Sequence, residues 1–324
     1  MARLQEFCDA EIWPESMPPS RSDLLRAVAQ CDGLLTLLSD RVDAELMDAA
    51  GPQLRVVSNY AVGFNNIDVA EAGRRGIRVG NTPDVLTGAT ADMAVTLLLA
   101  ATRRLATASQ SVASGNWRTW EPTGFLGKEL EGKTLGIVGA GRIGCATASR
   151  LVRGWEMKLL YTSRADREAA ENLGGRRVDL DTLLHQSDFV SIHVALNEDT
   201  RHLIDAAKLS LMKMDATLVN TARGEIIDQD ALIEHSHSHP DFTAGLDVTT
   251  PEPIAGDHPL MSCPGIIVAP HIGSATITSR HAMTEIAVDN LLAGLRQQPL
   301  RCAVPLPNDS DTPQKPNTPT ERAS

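Results

Sequence analysis

The chain has 324 residues, 42% hydrophobic and 22% charged, which suits two folded domains with buried cores and excludes a disordered or fibrous protein. A formal net charge of −11 and 3% aromatic residues argue against a basic duplex-binding surface or a stacking platform for single strands, so no nucleic acid partner is expected. The five cysteines, Cys8, Cys31, Cys145, Cys263 and Cys302, are odd in number and widely spaced, the pattern of reduced thiols in a cytoplasmic protein.

The opening residues, MARLQEFCDAEIWPE, lack the apolar stretch of a signal peptide. The longest apolar tract, AVTLLLAA (94–101), is too short to span a bilayer, so no membrane partner is expected. Short strands are predicted at GLLTLL (33–38), LRVVSNY (54–60) and IRVGN (77–81). TGATADMAVTLLLAATRRL (87–105) reads as one long, largely buried helix. A buried strand follows at TLGIVGA (134–140), then a helix through RIGCATASRLVR and a strand through MKLLYT. FVSIHV (189–194), ATLVNT (216–221), FTAGLDV (242–248) and GIIVAP (265–270) continue the series. Apolar runs bounded by turn residues and alternating with helical patterns predict an α/β fold built on parallel sheet covered by helices. The last residues, 305–324, are rich in Pro, Asp, Ser and Thr and are expected to be disordered.

The first chemical signal is TLGIVGAGRIG, in which Gly139, Gly141 and Gly144 follow an apolar strand and open a helix. One glycine allows the tight turn, the next a close backbone approach to a diphosphate, and the third close helix–strand packing; the helix N-terminus then faces the phosphates. Dinucleotide binding is therefore expected. The next strand usually ends in an acid that holds the adenosine ribose, but here it ends in Thr162, Ser163 and Arg164. A hydroxyl and a guanidinium suit a 2′-phosphate, so NADP(H) is the expected cofactor, with NAD(H) second.

Three further polar groups fall at strand ends, where ligands of α/β sheets bind: Arg223 in NTARGEIID, Glu252 in DVTTPEP and His271 in APHIGSAT. Together they suit hydride transfer to a keto acid. The arginine grips a carboxylate, the histidine protonates the nascent alkoxide, and the glutamate favours the protonated imidazole.

With NYAVGFNNID (59–68), NTPDVLTGATADMAV (81–95), SDFVSIHVAL (187–196), GLDVTTPEP and PHIGSAT, these stretches resemble the D-isomer-specific 2-hydroxyacid dehydrogenase family from about residue 30 to 304. Within it, NTPDVLT, YTSR and HIGSAT look most like glyoxylate/hydroxypyruvate reductases. The resemblance implies two Rossmann-like domains with doubly wound parallel sheets: a substrate domain at 1–82 plus 272–304, split around a cofactor domain at 83–271. It implies that Arg223 binds the substrate carboxylate and carbonyl oxygen, that His271 is the acid/base and that Glu252 is its partner. It also implies that the backbone at Val62 and Gly63 holds the carboxylate, that Asp247 faces the nicotinamide carboxamide, and that Arg142 and Ile143 flank the diphosphate. Family members close across a hinge and are typically homodimers, joined through the long helix and the loop that here spans about 103–130.

Three features depart from the family pattern. The family begins with a strand and helix ahead of CDAEIWPE, and this chain starts too late to contain that strand. Gly124 in EPTGFLG stands where related reductases often have a tryptophan. HSHSHPDF (235–242) carries His235, His237 and His239, which read as a solvated loop rather than a metal site because no other ligand type is suitably spaced. An NAD-linked enzyme such as phosphoglycerate dehydrogenase is the alternative, disfavoured by the missing ribose acid and the lack of a following regulatory domain. Formate dehydrogenase is disfavoured because that branch has Gln in the place of Glu252. A nucleotide-sensing corepressor of the same fold is the non-catalytic alternative.

Overall fold

The computed structural model describes residues 2–306, and the part of the expected disordered tail at 307–324 lies outside them. The chain divides into two compact units, Met1–Pro83 with His281–Ser324, and Asp84–Arg280.

The first unit contains α1 (Ala2–Phe7), α2 (Arg21–Ala27), β1 (Gly33–Thr36), α3 (Ala44–Ala50), β2 (Val56–Asn59), α4 (Val69–Arg74) and β3 (Arg78–Gly80). Its strands pair in parallel in the order β1-β2-β3. Val57, Val79, Leu46, Met47 and Ile67 fill one side of the sheet. No strand precedes β1 among the described residues; β1 is an edge, and nearby Leu35, Leu37 and Leu38 are exposed. The first helix, α1, is anchored by Leu4, which is buried with Val56, Val288, Leu291 and Leu292.

In the second unit come α5 (Thr87–Thr102), α6 (Leu105–Ala113), β4 (Thr134–Val138), α7 (Arg142–Trp155), β5 (Lys158–Thr162), α8 (Glu168–Glu171) and β6 (Arg176–Arg177). They are followed by α9 (Leu180–Gln186), β7 (Phe189–Ile192), α10 (Ala206–Leu211), β8 (Thr217–Asn220), α11 (Gln229–Ser238), β9 (Thr243–Leu246) and β10 (Ile266–Val268). The last helix, α12 (Ile277–Leu295), begins here and continues into the residues of the first unit.

The seven strands are all parallel, in the order β10-β9-β8-β7-β4-β5-β6. The order reverses between β4 and β7, the switch point at which such sheets bind ligands beyond their carboxyl ends. Central strands β7, β8 and β9 are buried at every residue, which is why they read as unbroken apolar or small-residue runs. Leu97, Leu98, Ile137, Leu151 and Phe189 form the core on one face; Leu184, Val190, Ile192, Leu218 and Leu232 form it on the other. Several helices start at an aspartate whose side chain accepts a first-turn N–H: Asp43, Asp68, Asp179, Asp205 and Asp228.

Two helical expectations change. The stretch 87–105 is not one helix: α5 ends at Thr102, Arg104 adopts a left-handed conformation (φ +50°), and α6 starts at Leu105. Most of α5 is covered within its own unit by the sheet and α7, so its apolar character does not require a partner subunit. The histidine run is not a loop: His235 and His237 lie on the last turn of α11 and His239 caps it. No described helix is long and apolar enough to cross a membrane. All five cysteines are free.

Candidate active site

The three glycines of the turn after β4 have three different physical reasons. Gly139 has φ +98°, and a Cβ there would sit 2.9 Å from the His193 carbonyl carbon and the Val194 nitrogen. At Gly144 a Cβ would be 2.3 Å from the Gly139 carbonyl oxygen, so this glycine lets α7 close onto the turn. Gly141 differs: nothing lies within 4 Å of its Cβ position, which leaves the backbone open to a close-approaching group. The N–H groups of Arg142, Ile143 and Gly144 have no acceptor among the described residues. Free donors at the start of a 14-residue helix, beside an open backbone, fit the diphosphate of a dinucleotide. Arg142 Nε pairs with Asp84 at 2.9 Å on the exposed rim.

At the end of β5 the Thr162 carbonyl accepts the N–H groups of Gly139 and Ala140, both at 3.2 Å, which ties this strand end to the turn. Ser163 Oγ donates to the Ala165 carbonyl at 2.6 Å and accepts from Arg167 Nε at 3.1 Å. Arg164 is exposed and forms no ion pair among the described residues. The nearby Asp166 is engaged by Arg177 at 3.0 Å. Arg167 was missed in the sequence, although it lies in the same TSRADR stretch; the signal was a second arginine three positions after Arg164.

Beyond β8, β9 and β10 the chain folds back so that distant residues meet. Arg223 Nη1 donates to the Ala222 carbonyl at 2.7 Å. Burial lowers the Arg223 pKa from its ordinary value, opposed by the charges of Glu252 and Glu225. Gly224 allows the close passage of the next loop, since a Cβ there would lie 2.1 Å from the Thr249 carbonyl oxygen. That loop is clamped by Gln229, whose side chain binds both the N–H and the carbonyl of Thr250. Two residues later Glu252 Oε1 is hydrogen-bonded to His271 Nδ1.

His271 has φ +53°, a conformation rarely adopted by non-glycine residues and enriched at functional sites. Its N–H donates to the Asp247 carbonyl at 2.9 Å. The Asp247 carboxylate accepts the N–H groups of Ile272 at 2.8 Å and Gly273 at 2.7 Å. Burial pushes the Asp247 carboxyl pKa up, and these two donors oppose the shift. With Nδ1 engaged, His271 Nε2 has no partner among the described residues. Arg223, Asp247, Glu252 and His271 thus gather at the carboxyl edge of adjacent strands in the second unit.

Val62 and Gly63 belong to the first unit, on the loop after β2. Their carbonyls accept from Asn81 and Asn59, both at 2.8 Å, while their N–H groups have no partner among the described residues. Two of the three histidines of the run pack together while His237 stays exposed: His235 stacks on His239 with centroids 4.1 Å apart and meets Phe242 edge-on. No group of three or more His, Cys, Asp or Glu that could hold a metal ion occurs among the described residues.

Comparison with known proteins gives a consistent picture. The family model for the D-isomer specific 2-hydroxyacid dehydrogenase, NAD binding domain, matches residues 95–273, all within the second unit. The chain is 48% identical over 295 residues to a glyoxylate reductase of Thermococcus kodakarensis, covering 90% of this chain and 88% of that protein. A solved glyoxylate reductase from Paecilomyes thermophila is 30% identical with a TM-score of 0.83, covering 94% of this chain and 93% of that one. An NADPH-dependent glyoxylate/hydroxypyruvate reductase from Sinorhizobium meliloti, solved with NADP and malonate, is 33% identical with a TM-score of 0.75, covering 86% and 85%.

Proposed function

The chain belongs to the D-isomer specific 2-hydroxyacid dehydrogenase family, and on that premise we propose that it uses NADPH to reduce glyoxylate or hydroxypyruvate to the 2-hydroxy acid. It is an oxidoreductase acting on the CH–OH group of 2-hydroxy acids. The observation that carries the finer reading is the His271–Glu252 pair set beside Arg223 at the sheet's carboxyl edge.

A nicotinamide cofactor, when bound, supplies the hydride. The chain's own residues do the rest. Arg223 presents a planar fork to the keto acid carboxylate and carbonyl oxygen, polarising the carbonyl. His271 gives its proton from Nε2 to the developing alkoxide, while Glu252 on Nδ1 fixes the ring and compensates its positive charge. Gly139, Gly141 and Gly144, with the N–H groups of Arg142 and Ile143, form the diphosphate cradle. Asp247 is the candidate acceptor for the carboxamide.

The preference for NADPH is supported by the groups after β5. Arg164 and Arg167 offer donors to a 2′-phosphate, Ser163 Oγ holds Arg167 Nε beside them, and Thr162 stands in place of a repelling acid. A homodimer is part of the same proposal. Its support is no longer the apolar α5 but the exposed apolar side chains of α6 and the following loop, where Leu105, Trp117, Trp120 and Leu126 are 59%, 60%, 79% and 65% exposed.

The test is a panel of glyoxylate, hydroxypyruvate and pyruvate with each cofactor, followed by the absorbance of the reduced nicotinamide. Multiple turnovers with glyoxylate or hydroxypyruvate and NADPH support the reading. Cofactor binding without turnover on any keto acid points to a nucleotide sensor instead.

A further inference from the structure

The loops that carry Arg223 and His271 are each held by a buried side chain near the end of the preceding or adjoining strand. Asn220, the last residue of β8, is fully buried. Its Oδ1 accepts the Ala222 N–H at 2.9 Å and its Nδ2 donates to the Arg223 carbonyl at 2.8 Å. Asp247, one residue past β9, is 1% exposed. Its two oxygens accept the N–H groups of Ile272 and Gly273, and its own carbonyl accepts that of His271. The two braces are joined, because the Asp247 N–H donates to the Asn220 carbonyl at 2.9 Å.

The side-chain chemistry matches the partners at both places. Asn220 faces one N–H and one carbonyl, and an amide offers one acceptor and one donor. Asp247 faces two N–H groups, one on each oxygen, and only a carboxylate of that size offers two acceptor atoms. Exchanging the two residue types preserves shape and breaks one bond at each site. At Gly273 a Cβ would stand 2.9 Å from Asp247 Oδ2, so the absence of a side chain lets the brace close. His271, meanwhile, has a left-handed conformation that persists only when its surroundings over-determine it.

We propose that Asn220 and Asp247 are positioning residues: Asn220 sets the Arg223 loop, Asp247 sets the His271 turn, and the bond between them fixes one loop relative to the other. This rests on the reading of Arg223 and His271 as the substrate-facing groups. Neither brace needs to touch the substrate to act.

The test uses the full chain with NADPH and glyoxylate as probes. Asp247→Asn, which keeps one acceptor oxygen for the carboxamide, is expected to lower kcat at least ~10-fold at saturating NADPH. Asn220→Asp is expected to lower kcat/KM for glyoxylate by a similar factor, mainly through KM. In a His271→Gln background, Asp247→Asn should cost less than about threefold more, whereas Asn220→Asp should keep its full effect. Wild-type kinetics in Asp247→Asn, or an equal loss in the presence and absence of His271, overturns the proposal. Should the exchanges impair folding, amide hydrogen exchange of the wild type decides it. Ala222, Ile272 and Gly273 should exchange at least ~100-fold more slowly than an unstructured peptide, and unprotected amides overturn the brace. A wild type that reduces no keto acid refutes the functional reading, while the exchange data still report on the brace.

Discussion

His271 and Glu252 are hydrogen-bonded through Nδ1 and Oε1, although they come from the ends of different strands 19 residues apart. The contact orients the ring and leaves Nε2 as the nitrogen that can face a substrate. Glu252→Gln retains the shape but removes the charge that compensates an imidazolium. It is expected to lower kcat at least ~10-fold, with NADPH binding unchanged, in steady-state kinetics at saturating cofactor. A Gln variant with wild-type kcat leaves Glu252 a structural residue only.

The proposed preference for NADPH rests on the loop after β5, where Arg167 reaches Ser163 and Arg164 is unpaired among the described residues. A hydrogen bond to a charged group is worth roughly 1.5–3 kcal/mol, or about 10- to 100-fold. Arg164→Ala and Arg167→Ala should each weaken NADPH by up to that factor and leave NADH nearly unchanged. Thr162→Asp should invert the preference by repelling the 2′-phosphate and offering the ribose an acceptor. The readout is kcat/KM for both cofactors. Equal losses for NADPH and NADH place the phosphate elsewhere.

The chain's chemistry was more legible than its supports. Continuous apolar runs revealed the buried strands, and glycine spacing revealed the turn at Gly139, because both are local patterns. The two-residue β6 is Arg176–Arg177, an exposed edge with no apolar signal. The break of α5 at Arg103–Arg104 was hidden because arginine is a good helix former and the left-handed Arg104 has no local marker. The histidine run looked solvated, yet the ring of His235 is packed between His239 and Phe242 by the end of α11. Asn220, Gln229 and Asp247 act on backbone groups that only the folded chain brings near, so no spacing rule shows their bonds.

Stability should carry a titration from His193, which follows β7 at the sheet's switch point. Its side chain is half-buried, Nε2 contacts Ser191 Oγ at 2.9 Å, and burial lowers its pKa from 6.5 to about 3. The folded state prefers the neutral ring. The stabilisation is therefore complete above the unfolded value of 6.5 and is lost as pH falls toward about 3. The loss is at most about 1.4 kcal/mol per pH unit within that window. Urea unfolding of wild type and His193→Gln at about pH 7.5 and about pH 5.5 should show the steeper acid loss in wild type. Parallel pH dependence of the two proteins contradicts the assignment.

Assembly is tested by light scattering at micromolar concentration, with an expected mass twice the 34.8 kDa of one chain. Trp120→Asp with Leu126→Asp places charge on the exposed apolar loop and should shift the population toward monomer. A wild-type monomer, or a dimer indifferent to both substitutions, excludes this surface as the interface.

The most direct measurement is steady-state reduction of glyoxylate by NADPH in wild type and His271→Gln side by side, with NADPH affinity determined separately for each. Repeated turnover is expected in the wild type, together with a kcat at least ~10²-fold lower in the variant and similar NADPH binding in both. NADPH binding without turnover in the wild type, or a His271→Gln enzyme as fast as the wild type, contradicts a keto acid reductase whose proton comes from His271.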